Sequence, residues 1–139
     1  MSGRNVRRNV DRVAVVRIYE YANAMTDAST IFALSSAPGR AALSVIRISG
    51  PAVREVLEKM VAPVPKPRVA AFRTVRHPGT GEALDRALLL WFAAPNSETG
   101  EDVAEFQGHG SRAAIAAILA ALGTIKGCRL AEPGEFARR

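Results

Sequence analysis

The chain has 139 residues, 48% hydrophobic and 23% charged, with a net charge of +6 and an isoelectric point near 10.4. That is enough for one domain with a real core and too short for two ordinary ones. Its one cysteine, Cys128, cannot form an internal disulfide, and no apolar run approaches the ~20 residues that span a bilayer, so a soluble, reducing, cytoplasmic setting is expected and a membrane protein is not.

The charge is uneven. Residues 1–24 carry Arg4, Arg7, Arg8, Arg12 and Arg17 against Asp11 and Glu20, half of the net charge. They are read as a basic, disordered N-terminal extension. They have neither the apolar stretch of a secretory signal nor the acid-free composition of a transit peptide. Met25 opens MTDASTIFALSS, which reads as a natural domain beginning.

In chain order, Thr30–Leu34 suits a short strand, and Ser35–Arg40 (SSAPGR) a turn. Leu43–Ser49 (LSVIRIS) is a β-branched strand. Gly50-Pro51 switches the period: Val53, Val56, Leu57, Met60 and Val61 form one helical face, ended by Pro63, Pro65 and Pro67. Val69–Arg76 reads as a strand, His77–Glu82 (HPGTGE) as a hairpin turn, and Leu84–Phe92 as a central strand buried on both faces. After the polar loop Ala94–Asp102 comes a short strand, Val103–Gln107. Gly108-His109-Gly110 then leads into a helix capped by Ser111, with Ile115, Ile118, Leu119 and Leu122 on its apolar face and Gly123 at its end. Cys128–Leu130 is a last edge strand, and Pro133-Gly134-Glu135-Phe136 opens another helix. The expected fold is α+β, a mixed sheet with two or three helices on one side.

Neither G-x-x-x-x-G-K-[ST] nor G-x-G-x-x-G occurs, so the usual nucleotide cradles are missing. His77, His109 and Cys128 cannot make a zinc site of standard spacing. Three features remain. Arg47 is a charge inside an apolar strand, on one face with Leu43, Val45 and Ser49; it either snorkels to water, forms a structural ion pair, or meets a ligand. Glu105 shares a face with Val103 and Gln107, and its two coplanar acceptors match a planar ligand edge offering adjacent N–H donors; the alternative is a solvated strand glutamate. Gly108, His109 and Gly110 precede a helix whose backbone N–H groups favour polar ligand atoms; the alternative is a turn that needs glycine for its dihedrals.

Four ordered stretches resemble the N-terminal domain of the tRNA-modification GTPase family of the MnmE/TrmE type: APGRAALSVIRISGP at Ala37–Pro51, LWFAAPNSETGEDVAEFQGHG at Leu90–Gly110, the Ala-rich helix after it, and AEPGEFARR at Ala131–Arg139. The resemblance covers residues 27–139. It implies a fold like that of folate-binding aminomethyltransferase-type domains. It also implies homodimerisation and a tetrahydrofolate derivative (5-formyl- or methylene-tetrahydrofolate) as one-carbon donor for C5 of the tRNA wobble uridine. A flavoprotein of the same pathway and tRNA are the partners implied for the whole protein. The family's folate-contacting Arg and Glu fall on Arg47 and Glu105, with Gly108, His109 and Gly110 as weaker candidates.

On this resemblance residues 25–130 form the folate-binding and dimerisation domain, and 131–139 begin a helical domain. The G domain and a further Lys-bearing folate segment are expected to be absent, so the isolated chain is not expected to be an enzyme. The sequence departs from the family at Ala41, Ala42 and Ser111, where glycines are usual, and at Glu98, where an aromatic is usual. The rival readings are a basic RNA-binding module without folate chemistry, resting on Arg4–Arg17, and a small transferase using His109 as acid or base.

Overall fold

The computed structural model describes residues 28–35 and 43–139. The basic extension, most of the SSAPGR turn, and the departures at Ala41 and Ala42 lie outside the described residues. Among the described residues six strands form one sheet: β1 (Thr30–Leu34), β2 (Ser44–Ser49), β3 (Ala71–Arg76), β4 (Ala83–Phe92), β5 (Val103–Gly108) and β6 (Cys128–Leu130). Their spatial order is β3-β4-β5-β2-β1-β6. Every neighbouring pair is antiparallel except β1 and β6, so the sheet is mixed, as expected. Among the described residues three helices accompany the sheet: α1 (Val53–Met60), α2 (Arg112–Gly123) and α3 (Glu135–Arg138).

Alternation along the strands gives the sheet two unlike faces. Phe32, Ile46, Ile48, Ala87, Leu89, Trp91, Ala104 and Phe106 point to one face and pack there against Val53, Val56, Leu57 and Met60 of α1 and Ile118, Ala121 and Leu122 of α2. Val53, Val56 and Leu57 are wholly buried, because the i, i+3, i+4 spacing turns them all toward the sheet. The intervening residues of β2, β4 and β5 point the other way. These include Arg47, Leu90, Phe92, Glu105 and Gln107, all only half-buried.

Local chemistry accounts for the joints. Gly50 has φ of 142°, and a methyl group on it would lie 2.6 Å from the Thr30 Cα, so only glycine lets β2 pass so close to β1 before α1 begins. α1 has no side-chain cap of its own. Instead, Thr30 Oγ1 accepts from the Ala52 N–H at 2.7 Å, so the first strand satisfies a donor just before the helix. α2 begins as expected, with Ser111 Oγ accepting from the Ala114 N–H at 3.1 Å. The His77–Glu82 turn closes around the His77 ring, whose Nδ1 accepts from the Gly79 and Thr80 N–H groups at 3.0 and 3.2 Å.

Two expectations need correction. The apolar run in β4 is not buried on both faces: its exposure alternates, and Leu88 is 37% exposed. α1 and α2 both pack on the face of Leu89 and Trp91, so these two are core while Leu88 and Leu90 face outward. β3 begins at Ala71 rather than Val69, because Lys66–Val69 is a turn: the Val69 N–H bonds to the Lys66 carbonyl at 3.2 Å, with Arg68 at φ of 66°.

Candidate functional site

β2 and β5 run antiparallel with Arg47 directly opposite Glu105. The two charges isolated in separate strands of the sequence are therefore one cross-strand pair on the face that no helix core covers. Arg47 Nη2 and Nε both donate to Glu105 Oε1, at 3.0 and 3.3 Å. Glu105 Oε2 accepts from Gln107 Nε2 at 2.9 Å. Arg47 Nη1 also lies 3.4 Å from Glu98 Oε2. Glu98 thus puts a second carboxylate on Arg47 at a position where an aromatic is usual. The side chains of Arg47 and Glu105 are 27% and 17% exposed, desolvated enough to interact strongly yet open to a ligand.

Beside this pair lies a cleft of about 630 Å³, walled by Arg68, Phe92, Pro95, Asn96, Ser97, Glu98, Val103 and Glu105. The polar loop between β4 and β5 forms its outer wall. Asp102 pins that loop from both sides, accepting from the Ala94 N–H at 2.7 Å and from Arg54 Nε at 3.1 Å. Glu101 pins its middle: it accepts from Ser49 Oγ at 2.8 Å and from Arg139 Nη1 at 3.1 Å, while its backbone carbonyl accepts from Ser97 Oγ. The acidic pair Glu101-Asp102 therefore shapes the cleft wall, a role the sequence reading did not assign; its signal was two acids at the end of a polar loop.

Gly108, His109 and Gly110 do not join this arrangement. They stand at the far end of β5 from Val103, and none of them walls the cleft. Neither glycine has a left-handed backbone. Gly110 is tight for another reason: a methyl group there would meet the Asp85 carboxylate at 3.1 Å and Ile115 at 3.3 Å. His109 is exposed.

A second charged cluster joins the end of the chain to the sheet. Arg129 grips Glu135 with two bonds, Nη1–Oε1 at 2.7 Å and Nη2–Oε2 at 2.6 Å, and Arg139 Nη2 stands 3.6 Å from the same carboxylate. Arg129 first, then the Glu132 N–H and Arg139, hold the Glu135 carboxyl below the usual carboxylate range despite its burial. Cys128 is displaced the other way: burial, then the nearby Glu55, push its thiol up, which favours the protonated form. Among the described residues no group of His, Cys, Asp and Glu could hold a metal ion, and no helix is long and apolar enough to cross a membrane.

Residues 30–139 match the family described as GTP-binding protein TrmE N-terminus. The chain belongs to that family. It is 52% identical over 110 residues to a tRNA modification GTPase MnmE of Rhodopseudomonas palustris (strain BisB18), a match covering 79% of this chain and 24% of the relative. It is 51% identical over 120 residues to the mouse protein named "5-taurinomethyluridine-[tRNA] synthase subunit GTPB3, mitochondrial", covering 85% of this chain and 24% of that one. The human protein of the same name is 51% identical over 113 residues, covering 80% of this chain and 23% of the relative. The chain thus spans about a quarter of the length of the curated relatives it matches. What it shares with them is the N-terminal domain of the MnmE and GTPB3 type, with Arg47, Arg68, Glu105 and the Glu101-Asp102 pair all inside the matched residues.

Proposed function

We propose that this domain binds a tetrahydrofolate one-carbon donor and holds two copies of the protein together, in the service of modification at C5 of the tRNA wobble uridine. The observation that carries the folate reading is the Arg47–Glu105 pair, half-buried beside a cleft of about 630 Å³. That size suits a ligand of drug-like dimensions, within the ~300–1,000 Å³ of ordinary binding clefts. The chemistry of the pair suits a pterin. Glu105 Oε2 accepts one bond, from Gln107, and keeps a lone pair to offer, while Oε1 accepts two from Arg47 and is freed when Arg47 turns away, so the carboxylate can then receive two adjacent N–H donors from a planar edge. Arg47 would turn toward a ligand carbonyl or carboxylate. The bound folate would supply the one-carbon unit.

On this reading residues 25–130 are the folate and dimer unit, and residues 131–139 lead into a helical domain. GTP hydrolysis, tRNA and a flavoprotein partner belong to the whole protein, acting in the cytoplasm. Titration calorimetry of the chain with 5-formyltetrahydrofolate tests the folate assignment, with Arg47→Ala and Glu105→Ala alongside. Saturable binding that both variants lose supports it; no saturable binding by the folded chain, or unchanged affinity in Glu105→Ala, overturns it. Analytical ultracentrifugation of the same sample tests the dimer, and a monomer at micromolar concentration would refute that part.

A further inference from the structure

The one cation among the described residues that line the cleft is Arg68, from the proline-rich connection between α1 and β3. Three features make this residue unusual. Its φ of 66° is left-handed, a conformation that suits Gly or Asn and disfavours any residue with a long side chain. Its backbone N–H is nonetheless fastened to the Trp91 carbonyl at 2.8 Å, which ties the connection to the end of β4. Its guanidinium lies over the Phe92 ring, 5.2 Å from the centroid, and donates through Nη1 to the Asn96 carbonyl at 3.1 Å. Backbone and side chain together hold an exposed cation against the cleft wall, and strained residues held in this way cluster at ligand clamps.

Arg68 also differs from Arg47 in what it faces. Arg47 has two carboxylates, Glu105 and Glu98. Among the described residues Arg68 has no ion pair. A guanidinium lying over a ring spends none of its N–H donors on that contact, and its donor edge matches a carboxylate with two parallel bonds. The cleft wall therefore combines two carboxylates, Glu105 and the Arg47-bound Glu98, with a ring-supported guanidinium that has no ion pair among the described residues.

We propose that Arg68 is a specificity-determining residue that binds the anionic end of the cleft's ligand: for tetrahydrofolate, a carboxylate of the glutamate tail. This rests on the folate reading above and deepens it, because it makes the cleft select ligands that combine an N–H-rich planar head with a carboxylate tail.

The test is calorimetry of the wild-type chain, Arg68→Ala and Arg68→Lys with 5-formyltetrahydrofolate and with 6-methyltetrahydropterin, which has the head and no tail. A charge-assisted bidentate contact predicts a loss of about 10-fold or more for the tailed ligand in Arg68→Ala, a smaller loss in Arg68→Lys, and affinity for the tail-less pterin unchanged in both. Raising the salt from low to physiological concentration should weaken 5-formyltetrahydrofolate binding more in wild type than in Arg68→Ala. Thermal melts of the variants should stay near wild type. Equal losses for both ligands would mean that Arg68 only shapes the loop through Asn96, and would overturn the proposal. So would unchanged affinity of Arg68→Ala for the tailed ligand with an unchanged salt dependence. Should the pterin bind too weakly to titrate, the salt series decides between these. Wild-type binding with an unaffected Arg68→Ala refutes the Arg68 assignment alone; absence of wild-type binding refutes the folate reading and this inference with it.

Discussion

The two faces of this sheet are made from alternate residues of the same strands, yet they do different work. On the helix-covered face Ile48, Leu89 and Phe106 meet Val56, Leu57 and Leu122, and exposure falls nearly to zero. On the other face the same strands present Arg47, Glu105 and Gln107, with Phe72 and Leu88 opposite each other and open to solvent. Burial of apolar area scales with stability, so the first face holds the fold together. The second is then left to carry charges and a cleft without bearing the main load. The lesson is that a period of two lets one strand serve stability and recognition at once, because a change on one face leaves the side chains of the other where they are.

The strongest test of this division is a cavity on the covered face. Leu57→Ala, at a wholly buried position of α1, should cost about 3 to 5 kcal/mol in urea or thermal denaturation. A loss below about 1 kcal/mol would show that the helices are not what stabilises the sheet.

Next in size is the clasp at the end of the chain. Glu135→Gln removes the carboxylate held by Arg129 and Arg139 and should cost about 2 kcal/mol at neutral pH. The sign of its pH dependence follows from the lowered pKa of Glu135 in the folded state. Its contribution is complete above the unfolded value of about 4.3 and is lost as pH falls from there through the folded value. Denaturation midpoints measured across that window should fall more steeply for wild type than for Glu135→Gln; parallel curves would deny the carboxylate this role.

On the open face the effects on stability should be small. Glu105→Gln leaves Arg47 with Glu98 and keeps an acceptor for Gln107, so its cost should stay within about 1 kcal/mol. A cost matching that of Leu57→Ala would erase the distinction between the faces. The smallest effect belongs to Phe72→Ser, at a residue 55% exposed beneath Arg86, which should shift stability by no more than about 0.5 kcal/mol in the same assay.

Much of this architecture was legible before any coordinates. The helical spacing Val53, Val56, Leu57, Met60, the turn residues of HPGTGE and the cap at Ser111 each act within a few residues of chain, and each stands where it was expected. The unbroken apolar run in β4 misled, since Leu88 and Leu89 are alike in hydrophobicity and differ only in which face a helix covers. Arg47 and Glu105 stood out as charges in apolar strands, but their pairing did not, because they are 58 residues apart. Arg68 gave no signal: it sits among prolines with no periodicity around it, and its importance comes from Phe92 and Asn96, which the fold brings to it.

The sequence by itself determined the α+β class, the kinds and approximate limits of the elements, and two of the charges at the candidate site. Periodicity, proline and glycine punctuation, and capping are local effects written in neighbouring residues. Only the tertiary structure decided the strand order, the face that α1 and α2 cover, the Arg47–Glu105 pair and the cleft that Arg68 lines. Those depend on pairings between distant segments, whose register is set by burying one whole face of the sheet at once.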